Sequence, residues 1–76
     1  MAEAYIKVWV YPGKEKAALT AMRKTKSVKS ARLTAGEQDI VAHVTGKSYE
    51  GILKYVMSNV RTIPAVRNTI TNLILE

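Results

Sequence analysis

From Ala4 to Tyr11 apolar and polar positions alternate strictly, with Ile6, Val8 and Val10 on one side and Tyr5, Lys7, Trp9 and Tyr11 on the other. This period of two predicts a strand with one face turned to a core. Pro12-Gly13 breaks the pattern, and from Lys14 to Lys26 the residues Ala17, Ala18, Ala21 and Met22, with Leu19 beside them, fall at helical spacing. Their small side chains predict a helix that packs closely. Val28 to Thr34 reads as a second strand, Ala35-Gly36-Glu37-Gln38 as a turn, and Asp39 to Thr45 as the third strand of a hairpin that Gly46 ends. Ser48 is placed to cap a second helix, along which Ile52, Leu53, Val56, Met57 and Val60 form an i, i+1, i+4, i+5, i+8 stripe interrupted only by the poor helix former Gly51. Pro64 stops this helix or its trailing turn, and the β-rich segment Arg67 to Leu75 supplies the last strand.

Strand, helix, strand, strand, helix, strand is the order of a ferredoxin-like βαββαβ unit in the α+β class, and right-handed crossovers place both helices on one face of a four-stranded antiparallel sheet. The first strand then lies between the third and the fourth. Two short polar signatures, Gly36-Glu37-Gln38-Asp39 and Thr69-Ile70-Thr71, open those flanking strands beside the end of the first. Asp39 and Thr69 are expected two strand spacings apart, about 10 Å, a gap that an amino acid spans. If Ile6, Val8, Val10, Ile40, Ala42 and Val44 face the helices, then Tyr5, Trp9, Tyr11, Val41 and His43 line the open face, which is too apolar and aromatic to stand free. A second copy packing sheet on sheet in an isologous dimer covers it. The same parity sends Leu73 and Leu75 to that interface and Asn72 towards the helices, an awkward place for an amide that suggests a bulged register.

Seventy-six residues make one domain, residues 1–76, that buries only about 60% of its unfolded surface. Cores of this size supply roughly 3–5 kcal/mol. With no cysteine available for a disulfide, oligomerisation is the remaining reinforcement. The N-terminus enters a strand without a signal-peptide core and no apolar run approaches membrane-spanning length, so a cytoplasmic location with no membrane contact is expected. The net charge of +6 concentrates at Lys14, Lys16, Arg23, Lys24, Lys26, Lys29 and Arg32. Such a patch attracts phosphates, but no aromatic residue is interleaved to stack bases, and a solvated face accounts for it more simply.

Tyr11-Pro12-Gly13 closing the first strand, Gly36-Glu37-Gln38-Asp39 opening the third and Ile63-Pro64-Ala65-Val66-Arg67-Asn68-Thr69-Ile70-Thr71 opening the fourth resemble the effector-binding, or RAM, domain of the Lrp/AsnC regulators. The resemblance runs over essentially the whole chain, and the order and spacing of its short motifs carry it. It departs at Ala65, where the family usually has glycine, and in having no residues before the first strand from which to build a helix-turn-helix domain. The resemblance implies a dimeric α+β barrel assembled into larger rings, often octamers, with a free amino acid bound between dimers. The turn at Gly36, Gln38 and Asp39 and the strand start at Thr69 and Thr71 would form that site. A full-length Lrp/AsnC-type regulator is an expected partner, and direct sequence-specific DNA binding is not expected.

In such a site Asp39 would pair with the ligand ammonium, backbone amides around Gly36 would receive its carboxylate, and the hydroxyls of Thr69 and Thr71 would orient it. Each has a structural rival: Gly36 in turn geometry, Asp39 in bonding its own hairpin, the threonines as ordinary strand residues. His43 is the only histidine, which excludes a multi-histidine metal site and leaves no obvious catalytic partner. Nothing implies a cofactor. The expectation is therefore a stand-alone amino-acid-sensing module and not an enzyme. A ligand-free assembly module stays open beside it, as does a small α+β barrel enzyme whose open-face His43, Tyr5, Trp9 and Tyr11 line a cavity.

Overall fold

The alternation that begins at Ala4 extends back to Ala2, so that β1 (Ala2–Val10) buries Ala2, Ala4, Ile6, Val8 and Val10 and turns Glu3, Tyr5, Lys7 and Trp9 the other way. The computed structural model describes residues 1–76. After β1 come α1 (Glu15–Arg23), β2 (Val28–Leu33), β3 (Ile40–Gly46), α2 (Tyr49–Tyr55) with a π-helical continuation over Val56–Val60, and β4 (Val66–Ile74). The strands form one antiparallel sheet in the order β2-β3-β1-β4. Ala18, Leu19 and Met22 of α1 and Ile52, Val56 and Val60 of α2 and its continuation join the inward residues of the sheet in one core. This is the expected ferredoxin-like arrangement, with both helices on one face.

All sixteen buried residues are apolar and six of them are alanine, so the helices sit close to the sheet and a few large side chains fill the space. Truncating Ile6, Ile40 or Ile52 to alanine should cost about 2–5 kcal/mol. β3 and α2 approach closely at Gly46, where a Cβ would lie 2.9 Å from Ile52 Cγ1. Ser48 caps α2 as its position predicts, its Oγ accepting from Gly51 N–H at 3.0 Å. α1 is shorter than its pattern. Its last turn tightens, with Lys24 N–H donating to Ala21 C=O at 3.3 Å, and Thr25 Oγ1 then hydrogen-bonds the Tyr55 hydroxyl across the two helices.

The second helix departs from its expected form in an informative way. Ile52, Val56 and Val60 are buried while Leu53 and Met57 are 44% and 63% exposed, so only one row of the double stripe reaches the core. An α-helix turns about 100° per residue, and a strict four-residue repeat drifts by about 40° per turn. The π turn absorbs the drift: Arg61 N–H donates five residues back to Val56 C=O at 2.9 Å. The wider turn keeps Val60 under Val56. By the same spacing it keeps Arg61 in line with Leu53 and Met57.

β4 corrects the expected parity. Ala4, Ile6 and Val8 stand opposite Leu73, Thr71 and Thr69, whereas Tyr5 stands opposite Asn72 and Lys7 opposite Ile70. Residues directly opposed in an antiparallel pair share a face. Leu73 is therefore on the helix side and outside the open face, Asn72 is on the open face, and Leu75 lies beyond the strand. The cause is a bulge: Trp9 pairs with Asn68 but Val10 with Val66, leaving Arg67 as an extra residue.

Candidate functional site

The turn that carries Gly36, Gln38 and Asp39 is closed by Thr34 N–H donating to Asp39 C=O at 2.9 Å, with Thr34 Oγ1 donating to Gln38 C=O at 2.9 Å. It is also tied to β1 at three points. Asp39 N–H donates to Val8 C=O at 3.0 Å, Val10 N–H donates to Asp39 Oδ2 at 2.9 Å, and the indole N–H of Trp9 donates to Glu37 C=O at 2.8 Å. One Asp39 oxygen thus completes the backbone of β1 just beyond the start of β3. Its other oxygen carries no bond from the protein. Gly36 has no positive φ, and a Cβ placed on it would meet nothing within 4 Å, so neither turn conformation nor packing demands glycine there.

On the opposite flank of β1, Thr69 and Thr71 project to the helix side and line a groove of about 270 Å³ with Leu53, Val56, Met57 and Arg61. Neither threonine hydroxyl is hydrogen-bonded within the protein, and the Arg61 guanidinium forms no ion pair. Both signatures converge on Val8, whose carbonyl accepts from Asp39 on one side and whose Cα opposes Thr69 on the other. No single groove of the chain holds both. Arg61 is the residue that the sequence reading left out, although it continues the Leu53, Met57 row at a spacing of four.

The sequence pattern of the family described as the Lrp/AsnC ligand binding domain matches residues 3–76. The chain belongs to that family. Among solved structures it is similar to FFRP-DM1, with a TM-score of 0.94 and 23% identity over 99% of this chain and 100% of that one. It is similar also to protein PHS023 from Pyrococcus horikoshii, with a TM-score of 0.91 and 26% identity over 100% and 93% of the two chains. A third is the transcriptional regulator NMB0573 from Neisseria meningitidis, solved with L-Met, at a TM-score of 0.88 and 17% identity; this chain, 99% covered, spans 50% of that regulator. No curated protein matches the sequence.

The open face of this Lrp/AsnC domain carries Tyr5, Trp9, Val41 and His43 as expected, with Ile70 and Ile74 of β4 in place of Leu73. Tyr11 leaves it too. Past the end of β1 its N–H donates to Ala65 C=O at 3.0 Å, and it lines a second groove, of about 390 Å³, with Lys14, Ala17, Ala21, Ile63, Pro64 and Ala65. His43 stacks at a tilt on Tyr5, ring centroids 5.4 Å apart, and its Nε2 lies 2.7 Å from Glu3 Oε1. That carboxylate partner is forty residues away in sequence, which hid it. None of the grooves is lined by His43, Tyr5 or Trp9. Of the basic residues, Arg23 is committed to structure, its Nε and Nη2 both donating to Ala31 C=O at 3.1 and 2.7 Å. No helix is long and apolar enough to cross a membrane.

Proposed function

We propose that this domain is a non-enzymatic amino-acid sensor that takes its effector between dimers of a homo-oligomer and passes occupancy on through assembly or through a partner regulator of the same family. One observation carries this reading. The two polar signatures reach the same residues of β1 from opposite flanks, yet within one chain they line no common groove, so a ligand touching both needs a second copy. The open face supports a dimer as the unit. Tyr5, at 49% exposure, and Ile70, at 48%, stand on it beside Trp9 and Val41, an apolar surface that a second sheet would cover. The L-Met bound to the Neisseria meningitidis regulator supports an amino acid as the ligand class.

A ligand that bridges dimers binds the larger assembly better and shifts the population towards it by that difference in affinity. Sedimentation velocity across a titration of each common amino acid is the test. Growth of the larger species with one or a few of them supports the reading. An unchanged distribution throughout, with no heat in calorimetry, leaves a ligand-free assembly module.

A further inference from the structure

Between the second helix and β4 the groove presents two chemistries and lacks a third. Its walls are Leu53, Val56 and Met57, all aliphatic. Its polar groups are the hydroxyls of Thr69 and Thr71 and the guanidinium of Arg61, none of them paired within the protein. No carboxylate lines it, so it offers an anion a fork of donors and offers an ammonium only two neutral hydroxyl oxygens and no opposite charge. At about 270 Å³ it falls below the roughly 300–1,000 Å³ of sites for drug-sized ligands and suits a molecule of amino-acid size.

We infer that Arg61 is the carboxylate-binding residue of the effector site, and that the aliphatic row beside it restricts the effector to amino acids with uncharged, apolar side chains. The ligand carboxylate lies on Arg61 with Thr69 and Thr71 alongside, and the side chain lies against Leu53 and Met57. The ammonium is left for the unbonded oxygen of Asp39 on a neighbouring copy. This inference rests on the effector-binding reading above and assigns within it what the backbone around Gly36 was expected to do.

Calorimetry of the full chain against leucine, methionine, aspartate, lysine and leucinamide, repeated with Arg61→Gln and Arg61→Lys, tests it. Leucine and methionine should bind at least tenfold more tightly than aspartate or lysine. Arg61→Gln should weaken leucine by about ten- to a hundredfold, the range for a charge-assisted hydrogen bond. Arg61→Lys should recover part of the loss, because it keeps the charge without the fork. Leucinamide, which lacks the carboxylate, should bind wild type and Arg61→Gln alike. Arg61 is exposed and unpaired, so the thermal melt of either variant should match wild type, which separates lost binding from lost folding. Leucine binding unchanged by Arg61→Gln, or aspartate and lysine binding as tightly as leucine, overturns the inference and leaves the effector reading standing. No heat from any amino acid with wild type overturns both.

Discussion

The two flanks of β1 carry polar residues of similar kind and use them differently. On the β3 side the turn is pinned within the chain: one Asp39 carboxylate oxygen accepts from Val10 N–H, the Glu37 carbonyl from the Trp9 indole and the Gln38 carbonyl from the Thr34 hydroxyl. On the β4 side Arg61 and the hydroxyls of Thr69 and Thr71 stand beside one another with no internal partner. The first flank is held in shape before any ligand arrives, and the second keeps its donors for something outside the chain. Preorganisation on one side and unspent donors on the other are what a binding site shared between copies requires.

Asp39→Ala should show the contrast most strongly, because it strands the N–H of Val10, a residue only 5% exposed. The expected loss is about 1–3 kcal/mol, which at roughly 4–8 °C per kcal/mol for a domain this size reads as a clear drop in melting temperature. Asp39→Asn retains an oxygen for Val10 and should melt close to wild type while losing the charge, so comparing the pair separates the structural oxygen from the one left for an ammonium. Trp9→Phe removes the indole bond to Glu37 together with part of the ring's contact area, and should cost at least about 0.5–1.5 kcal/mol in chemical denaturation. Thr69→Val and Thr71→Val should change stability by less than about 0.5 kcal/mol yet weaken effector binding in calorimetry; a stability loss as large as that of Asp39→Ala would erase the distinction between the flanks. Smallest of all in stability is Gly36→Ala, whose new methyl meets nothing, within about 0.5 kcal/mol. If it nonetheless weakens the effector, the backbone there approaches the ligand closely.

Much of this was legible along the chain, and the rest was hidden for identifiable reasons. The strict alternation of β1, the Ser48 cap and the order of elements are local signals, and the structure follows them. The bond from Val10 to Asp39 joins residues 29 apart and that between Glu3 and His43 joins residues 40 apart, so only the assembled sheet makes either visible. The parity of β4 turns on one extra residue at Arg67; the awkward inward place that simple alternation gives Asn72 signals a bulge but not where it falls. Arg61 was overlooked because a stripe is read from its apolar members, and the row through Leu53 and Met57 ends on a charge. Of the candidate site, the Thr69 and Thr71 side was readable as a place; its arginine was not.

The sheet also leaves two outer strands, each with one backbone edge that no other strand pairs, and they are guarded unequally. β2 is six residues long and brings Lys29 and Arg32 to its rim, so two copies meeting along that rim in antiparallel fashion set like charges near one another. β4 is nine residues long and, beyond Arg67, runs to Ile74 without a charge. Growth of a fibre by strand addition is thus discouraged along one border of the molecule, and any approach of a neighbouring chain is met more gently along the other.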